Sequence, residues 1–321
     1  MQSSQKVVML TEWFAGLTRA ANGNLYAILD AARESAILPK LRELNAHAVS
    51  LYRGESEETL SAVSPYLVHL GANNSLTNWL VTEGWGKAWG IFLTAPANID
   101  QLRRHFRHFL LVRDPDGNEL YFRFYDPRVL RVYLPTCTAP EMKHFLGPTT
   151  RYLMESEDGE ALLDFTRMGL RRMSLSALDS ASPLDPSLAE DVTLGKPTNR
   201  RLKIRNDQMK AFSEYMDKSF EGRAAGHLRA EYPLDTKDMS DDELCAFIQE
   251  GSSRAAKHQF TRETEIGIFL DLMMMFGTDF DQTESWATEI LVKPDLSSEE
   301  KLERLRQHRD SELERRTKRD E

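Results

Sequence analysis

The sequence predicts an α/β fold: an N-terminal layered α/β domain on a mixed sheet, followed by a smaller all-helical domain. Three observations lead there. Short apolar runs alternate with helix-period segments up to about residue 170. A Ser-, Asp- and Pro-rich stretch then interrupts every apolar period. Beyond it, apolar residues recur at helical spacing only. The 321 residues suffice for two cores, and 41% hydrophobic with 28% charged residues is ordinary for a globular chain.

In chain order, LYAILDAA (25–32), PYLVHLG (65–71) and WGIFLTA (89–95) are short apolar runs of the kind buried strands show. Asn98 and Gln101 form a capping pair for a helix running to about Leu111. On that helix Leu102, Phe106, Phe109 and Leu110 share one face, and Arg103, Arg104 and Arg107 share the other. DPDGN (114–118) is a turn by its chemistry, with Pro presetting φ and Gly accepting a positive one, and it feeds the strand ELYFRFY. Thr138 to Glu141 reads as a helix start and Gly147-Pro148 as a stop. RYLMES and ALLDFTR flank the turn EDG (157–159) as a further strand pair.

Residues 174–200 carry no sustained apolar period and read as a flexible linker. We therefore place the α/β domain at 1–173, a helical domain at 201–298 and a charged C-terminal helix at 299–321. Met209, Phe212, Met216 and Phe220 fall at helical spacing. Ser240 to Glu243 is a capping box for a helix that Gly251 would close. EIGIFLDLMMMFG (265–277) is too apolar for a surface helix and should centre the second core. The last helix opens at Ser297 to Glu300, and its mixed charges read as a solvated end.

Composition narrows the function. A net charge of -9 argues against a general nucleic-acid binder. Two cysteines, Cys137 and Cys245, form no disulfide framework and no metal knuckle, which fits a reducing cytosol. The N-terminal apolar stretch is broken by Glu12 and does not read as a secretory signal. No run approaches the about 18 apolar residues of a membrane span. Phosphate-loop, dinucleotide, nucleophile-elbow, zincin and EF-hand patterns are absent.

The remaining candidates each have a plain reading beside the functional one. His105 and His108 lie three apart on one helix, a spacing that suits a metal, and with His69 they define an alternative reading as a metal-dependent hydrolase. Their directions differ by about 60°, however, and no carboxylate in that segment completes a site. Trp85 and Trp89 in GWGKAWG are either anchors for the next strand or an aromatic binding patch. The arginine face of Arg103, Arg104 and Arg107 is a solvated surface, a protein-binding patch, or a site for phosphate or nucleic acid.

FRFYDPRVLRVYLP (122–135) is the most distinctive stretch. As a hairpin, Asp126-Pro127-Arg128 would be a type I turn. As a strand-to-helix junction, Asp126 is the N-cap and Pro127 the first helical residue. Val129, Leu130, Tyr133 and Leu134 then form one stripe beside Arg128 and Arg131, and Leu134-Pro135 ends the helix. We favour the helix.

This stretch resembles the signature of the type VI secretion effector adaptor (chaperone) family, Tap or TEC. The match runs Tyr125, Asp126, Pro127, Arg128, Val129 and Leu130, then Leu134-Pro135, then Thr138 to Phe145 and, after one inserted leucine, Gly147-Pro148. LYAILDAA, PYLVHL, GWGKAWGIFLTAP and HFRHFLLVRD precede it in matching order, so the resemblance spans about residues 24–155. The helical half is similar to the tail often attached to such domains. The resemblance implies a cytoplasmic adaptor with neither cofactor nor catalysis, which binds a secreted toxic effector and loads it onto the VgrG spike. Arg103, Arg104, Arg107, Arg128, Arg131, Trp85 and Trp89 are then the expected protein contacts, and the signature residues themselves are expected to be architectural.

Overall fold

A computed structural model describes residues 3–20, 24–70, 74–180 and 201–320. The chain divides into two compact units, Met1–Phe212 and Ser213–Glu321.

The first unit contains α1 (Ser3–Ala20), β1 (Leu25–Asp30), α2 (Ile37–Glu43), β2 (Ala48–Ser50), α3 (Glu55–Thr59), β3 (Pro65–His69), α4 (Asn74–Trp79) and β4 (Gly90–Thr94). It continues with α5 (Ile99–Arg107), β5 (Leu111–Arg113), β6 (Glu119–Tyr121), α6 (Pro127–Thr136), α7 (Ala139–Leu146), β7 (Arg151–Glu155), β8 (Ala161–Thr166) and β9 (Gly169–Ser174). Seven strands form one sheet in the order β2-β3-β1-β4-β7-β8-β9, and β5 pairs with β6 as a separate ribbon. The sequence suggested a mixed sheet; every strand pairing in it is antiparallel. Helical connections therefore return the chain to antiparallel neighbours instead of making parallel crossovers.

Strand periodicity sorts the core into two layers. Tyr26, Ile28, Leu67, Ile91, Leu93, Tyr152 and Phe165 face α5, α6 and α7, against Leu102, Phe106, Leu130, Tyr133 and Phe145. Leu25, Ala27, Leu29, Val68, Phe92 and Leu153 face α1, α2 and α4, against Leu10, Phe14, Ile37, Leu41 and Leu76. Burial on both faces explains why these strands read as continuous apolar runs and not as alternating ones.

Several local expectations shift. The 98–101 capping box forms as expected, but α5 stops at Arg107, and Leu111 begins β5. The expected strand ELYFRFY is extended only over Glu119–Tyr121, because the Asp126 amide turns back to the Arg123 carbonyl and Phe122, Phe124 and Tyr125 enter the core. Asp126 caps α6 with Pro127 at its start, as expected, yet the helix runs past Leu134-Pro135 to Thr136. Pro135 lies in the last turn, where its missing N–H forfeits one i→i−4 bond and only Thr136 of the helix follows it. Part of the expected linker is structured: β9 reaches Ser174, and the 3-10 turn Leu175–Ser180 buries Leu175 and Leu178. Residues 181–200 lie outside the described residues. Leu202, Ile204 and Phe212 pack in the first unit's core.

α8 (Asn206–Glu231) carries the expected Phe212 and Phe220 spacing, although Met209 and Met216 are exposed. After it come α9 (Pro233–Thr236), α10 (Asp241–Lys257), α11 (Glu263–Phe276), α12 (Phe280–Thr283), α13 (Ser285–Val292) and α14 (Ser298–Asp320). α11 forms the centre of the second core, as its composition predicts. Gly251 does not end α10. It lies inside the helix where a Cβ would come within 2.3 Å of the buried Leu270 side chain, so the glycine permits close helix packing. α14 is less solvated than its charges suggest: Leu305 is fully buried, His308 stacks on Trp286 at 4.2 Å and Arg309 pairs with Asp271 of α11.

Two glycines test these packing statements. A Cβ at Gly90, on β4 opposite Leu29, would meet the Ile28 carbonyl oxygen at 2.1 Å. The backbone cannot yield there without breaking the β1–β4 ladder, so Gly90→Ala should destabilise the first unit by about 3 kcal/mol. Gly222 lies on the exposed face of α8 with nothing within 4 Å of such a Cβ. Gly222→Ala should stabilise by about 0.5–1 kcal/mol. Urea unfolding of the two variants measures both effects, which carry opposite signs.

Candidate functional site

One end of the sheet gathers a charged cluster around the 122–131 stretch. Asp30 closes β1 with its side chain fully buried, accepts the Ala32 amide at 3.1 Å and is held by the Arg123 guanidinium. Asp126 accepts the Arg128 amide at 2.9 Å as the α6 cap and also takes the Arg128 Nη2 at 2.6 Å. Arg131, one turn further, donates to the Glu155 carbonyl at the end of β7 at 3.1 Å. The Glu155 carboxylate in turn accepts the amides of Gly86 and Ala88 at 2.5 and 2.7 Å. Burial raises its pKa above the usual glutamate value, against the opposing pull of those two amides and of Arg131.

That arrangement also explains GWGKAWG. Gly86 and Ala88 both have positive φ, a geometry that the paired amide bonds to Glu155 hold in place. The Trp85 indole donates to the Gly159 carbonyl at 2.9 Å, while Trp89 is buried with its ring 5.0 Å from that of Trp79. Both tryptophans are thus engaged within the fold, as are the signature residues Tyr125, Pro127 and Leu130, which are buried, and Val129, which packs against the same core.

The arginine face of α5 splits in two. Arg103 donates through Nε to the Ser50 carbonyl at 2.7 Å and pairs with Glu57 at 2.7 Å, and Arg107 donates to the Tyr52 carbonyl at 2.9 Å. These two fasten the chain leaving β2 onto α5. Arg104 is exposed. Arg104 and Arg107 line an open groove of about 800 Å³ together with Arg53, His108 and an apolar floor that includes Leu51 and Leu110. The Arg107 pKa is pulled below the usual arginine value by burial first, then by the neighbouring charges of Arg103 and Arg53. At one wall the hydroxyl of Tyr121 bonds those of Tyr52 at 2.9 Å and Tyr125 at 3.2 Å. Burial pushes the Tyr125 phenol up to about 12, so it stays a neutral donor in this chain.

The histidines do not converge. The His105 ring sits 2.9 Å from the Phe145 carbonyl through Nε2, which must therefore carry the proton, and packs on Phe106 and Phe109. Gly147, with φ of 51°, caps α7 directly against that ring, where a Cβ would fall 2.2 Å from it. His69 packs beside Tyr26 and His47, and His108 is exposed at the groove. Among the described residues no group of three or more His, Cys, Asp or Glu side chains is placed to hold a metal ion. Among them, too, no helix is long and apolar enough to cross a membrane.

Sequence reasoning did not single out Asp30, Glu155, Tyr52, Arg53, Leu111 or Tyr121. Asp30 had one available signal, a lone carboxylate ending an apolar strand. The others become neighbours only through tertiary packing.

The fold defines an antiparallel α/β sandwich whose two helical layers enclose the sheet, and the site on it is a surface groove beside a charge cluster. Residues 25–144 match the family described as Domain of unknown function (DUF4123), so the chain carries a DUF4123 domain over that span. It runs from the start of β1 into α7 and takes in the whole groove and α6. Comparison with curated proteins gave no match, and comparison with solved structures gave none.

His105 provides a titratable test of the packing. Burial, then repulsion from His144 and His108, outweighs the Phe145 bond and lowers its pKa from 6.5 to about 4. The unfolded chain therefore takes up this proton first. Stability is complete above the unfolded pKa and falls as pH drops from 6.5 towards 4, by about 3 kcal/mol at 1.36 kcal/mol per pH unit. His105→Gln, which keeps a donor for Phe145, should flatten that part of the profile of unfolding free energy against pH.

Proposed function

We propose that this protein is a cytoplasmic loading adaptor that binds a type VI secretion toxic effector and delivers it to the VgrG spike, without catalysis of its own. The observation that carries the reading is the ordered resemblance over about residues 24–155, which overlaps the DUF4123 domain at 25–144 almost completely. Two further features support it. The charged side chains of the signature region are engaged in holding the fold together: Asp30 with Arg123, Asp126 with Arg128, and Arg131 with the Glu155 carbonyl. The chain also folds as two units, each with its own core, which suits a protein that offers surfaces to more than one partner.

Co-purification tests the proposal. The tagged full chain, expressed in the cell that carries the secretion system, should retain the effector encoded beside it and VgrG. Deleting it should stop delivery of that effector while VgrG is still exported. Recovery of neither partner, with the secretion system expressed, would contradict the reading.

A further inference from the structure

The groove between the chain leaving β2 and the α5–β5 corner combines three arginines with apolar surface. Its lining contains Arg53, Arg104 and Arg107 and no carboxylate, in a chain whose net charge is -9. The nearby Glu57 is paired with Arg103 at 2.7 Å. The remaining carboxylates of α3, Glu55 and Glu58, are exposed and are not part of the lining. Between the cations the surface is apolar. Leu60, Leu111 and Tyr121, 45%, 43% and 44% exposed, all line the groove, and Leu51 and Leu110 floor it.

The walls are firmly held. Arg107 ties the Tyr52 carbonyl to α5, and Tyr52 ties its hydroxyl to Tyr121 on β6. The far edge of the β5–β6 ribbon is also occupied, since the Arg113 amide donates to the Leu202 carbonyl at 2.9 Å and the Ile204 amide to the Arg113 carbonyl at 2.8 Å. A groove formed in advance costs a ligand less in ordering. Its volume of about 800 Å³ accommodates several large side chains.

We infer that this groove receives a short, acidic, amphipathic helical segment of a partner protein, its apolar side chains on the leucine floor and its carboxylates against Arg53, Arg104 and Arg107. Charge complementarity selects the acidic character. Aliphatic Leu51, Leu60, Leu110 and Leu111 match the anchors that an amphipathic helix repeats along one face. The lining's two tyrosines, Tyr52 and Tyr121, are bonded to each other through their hydroxyls at one wall, and an extended polyanion would meet the repulsion of the acidic remainder. This deepens the adaptor reading and rests on it for the partner being a protein. It assigns the contact to a surface distinct from the signature helix α6.

The test uses a fluorescein-labelled synthetic peptide of about 18 residues, with Leu repeating at helical spacing and Glu elsewhere. Its controls are the same peptide with Lys for every Glu and an oligo-dT of similar length, each titrated into the full chain by fluorescence anisotropy. The acidic peptide should bind, and weaken at least about tenfold at about 0.5 M salt. Arg53→Glu/Arg104→Glu, both at exposed positions, should weaken it by a further factor of about ten or more. Leu111→Asp should do the same, and Arg172→Glu on β9 should leave binding unchanged. No binding of the acidic peptide by the folded wild type overturns the inference. So does equal binding of the lysine peptide, or binding of oligo-dT alone. Loss of peptide binding in the arginine variant while VgrG and effector still co-purify would leave the adaptor reading standing and remove the groove as its contact. Failure of co-purification with peptide binding intact would do the reverse.

Discussion

A fully buried carboxylate at the end of an interior strand constrains much of the first unit. Asp30 lies beneath the surface at the end of β1, between β3 and β4, and a buried anion without a partner costs several kcal/mol, of the order of 3–5. Arg123 supplies that partner, which requires residues 122–126 to leave the β5–β6 ribbon and lie across the sheet end. The same path carries Phe122, Phe124 and Tyr125 into the core, where Phe124 lies among Phe106, Phe109 and Phe145 at ring distances of 5.7–6.2 Å. Asp126 then caps α6, and α6 sets Arg131 on the end of β7. One charge pair thus fixes the direction of the chain for the elements that follow.

That logic separates architecture from recognition. The most distinctive residues of the chain, Tyr125 to Leu130, are mostly enclosed, and the half-exposed arginine among them, Arg128, is paired with its own helix cap. The surface with the chemistry of a binding site lies along α5 and the chain after β2, and only Arg104 and Arg107 of the arginines noted in sequence reach it. A signature can mark a family because it determines the fold, and leave partner choice to less distinctive residues nearby.

Elements with local causes were legible. The capping boxes at Asn98, Thr138 and Ser240 and the Asp126-Pro127 start follow from side-chain chemistry within three residues, so sequence reveals them. What local reasoning missed depends on distant contacts. Gly251 looks like a helix stop until Leu270 is found above it, and the charged run after Ser297 looks solvated until Leu305, His308 and Arg309 meet the second core. Antiparallel pairing was hidden for the same reason, since apolar strands covered on both faces read like parallel ones. Of the candidate site, Arg104 and Arg107 were visible, but Arg53 and the leucines were not, because Leu51, Leu60 and Leu110 come from three separate segments.

Native-state hydrogen exchange on the full chain, with no partner present, tests the central claim most directly: that the 122–134 stretch is structural core and not a mobile recognition loop. The account predicts that the amides of Phe122, Leu130, Tyr133 and Leu134 exchange together with those of β1, only through global opening of the first unit. Exchange of the 122–134 amides by local opening, well ahead of β1, would contradict it.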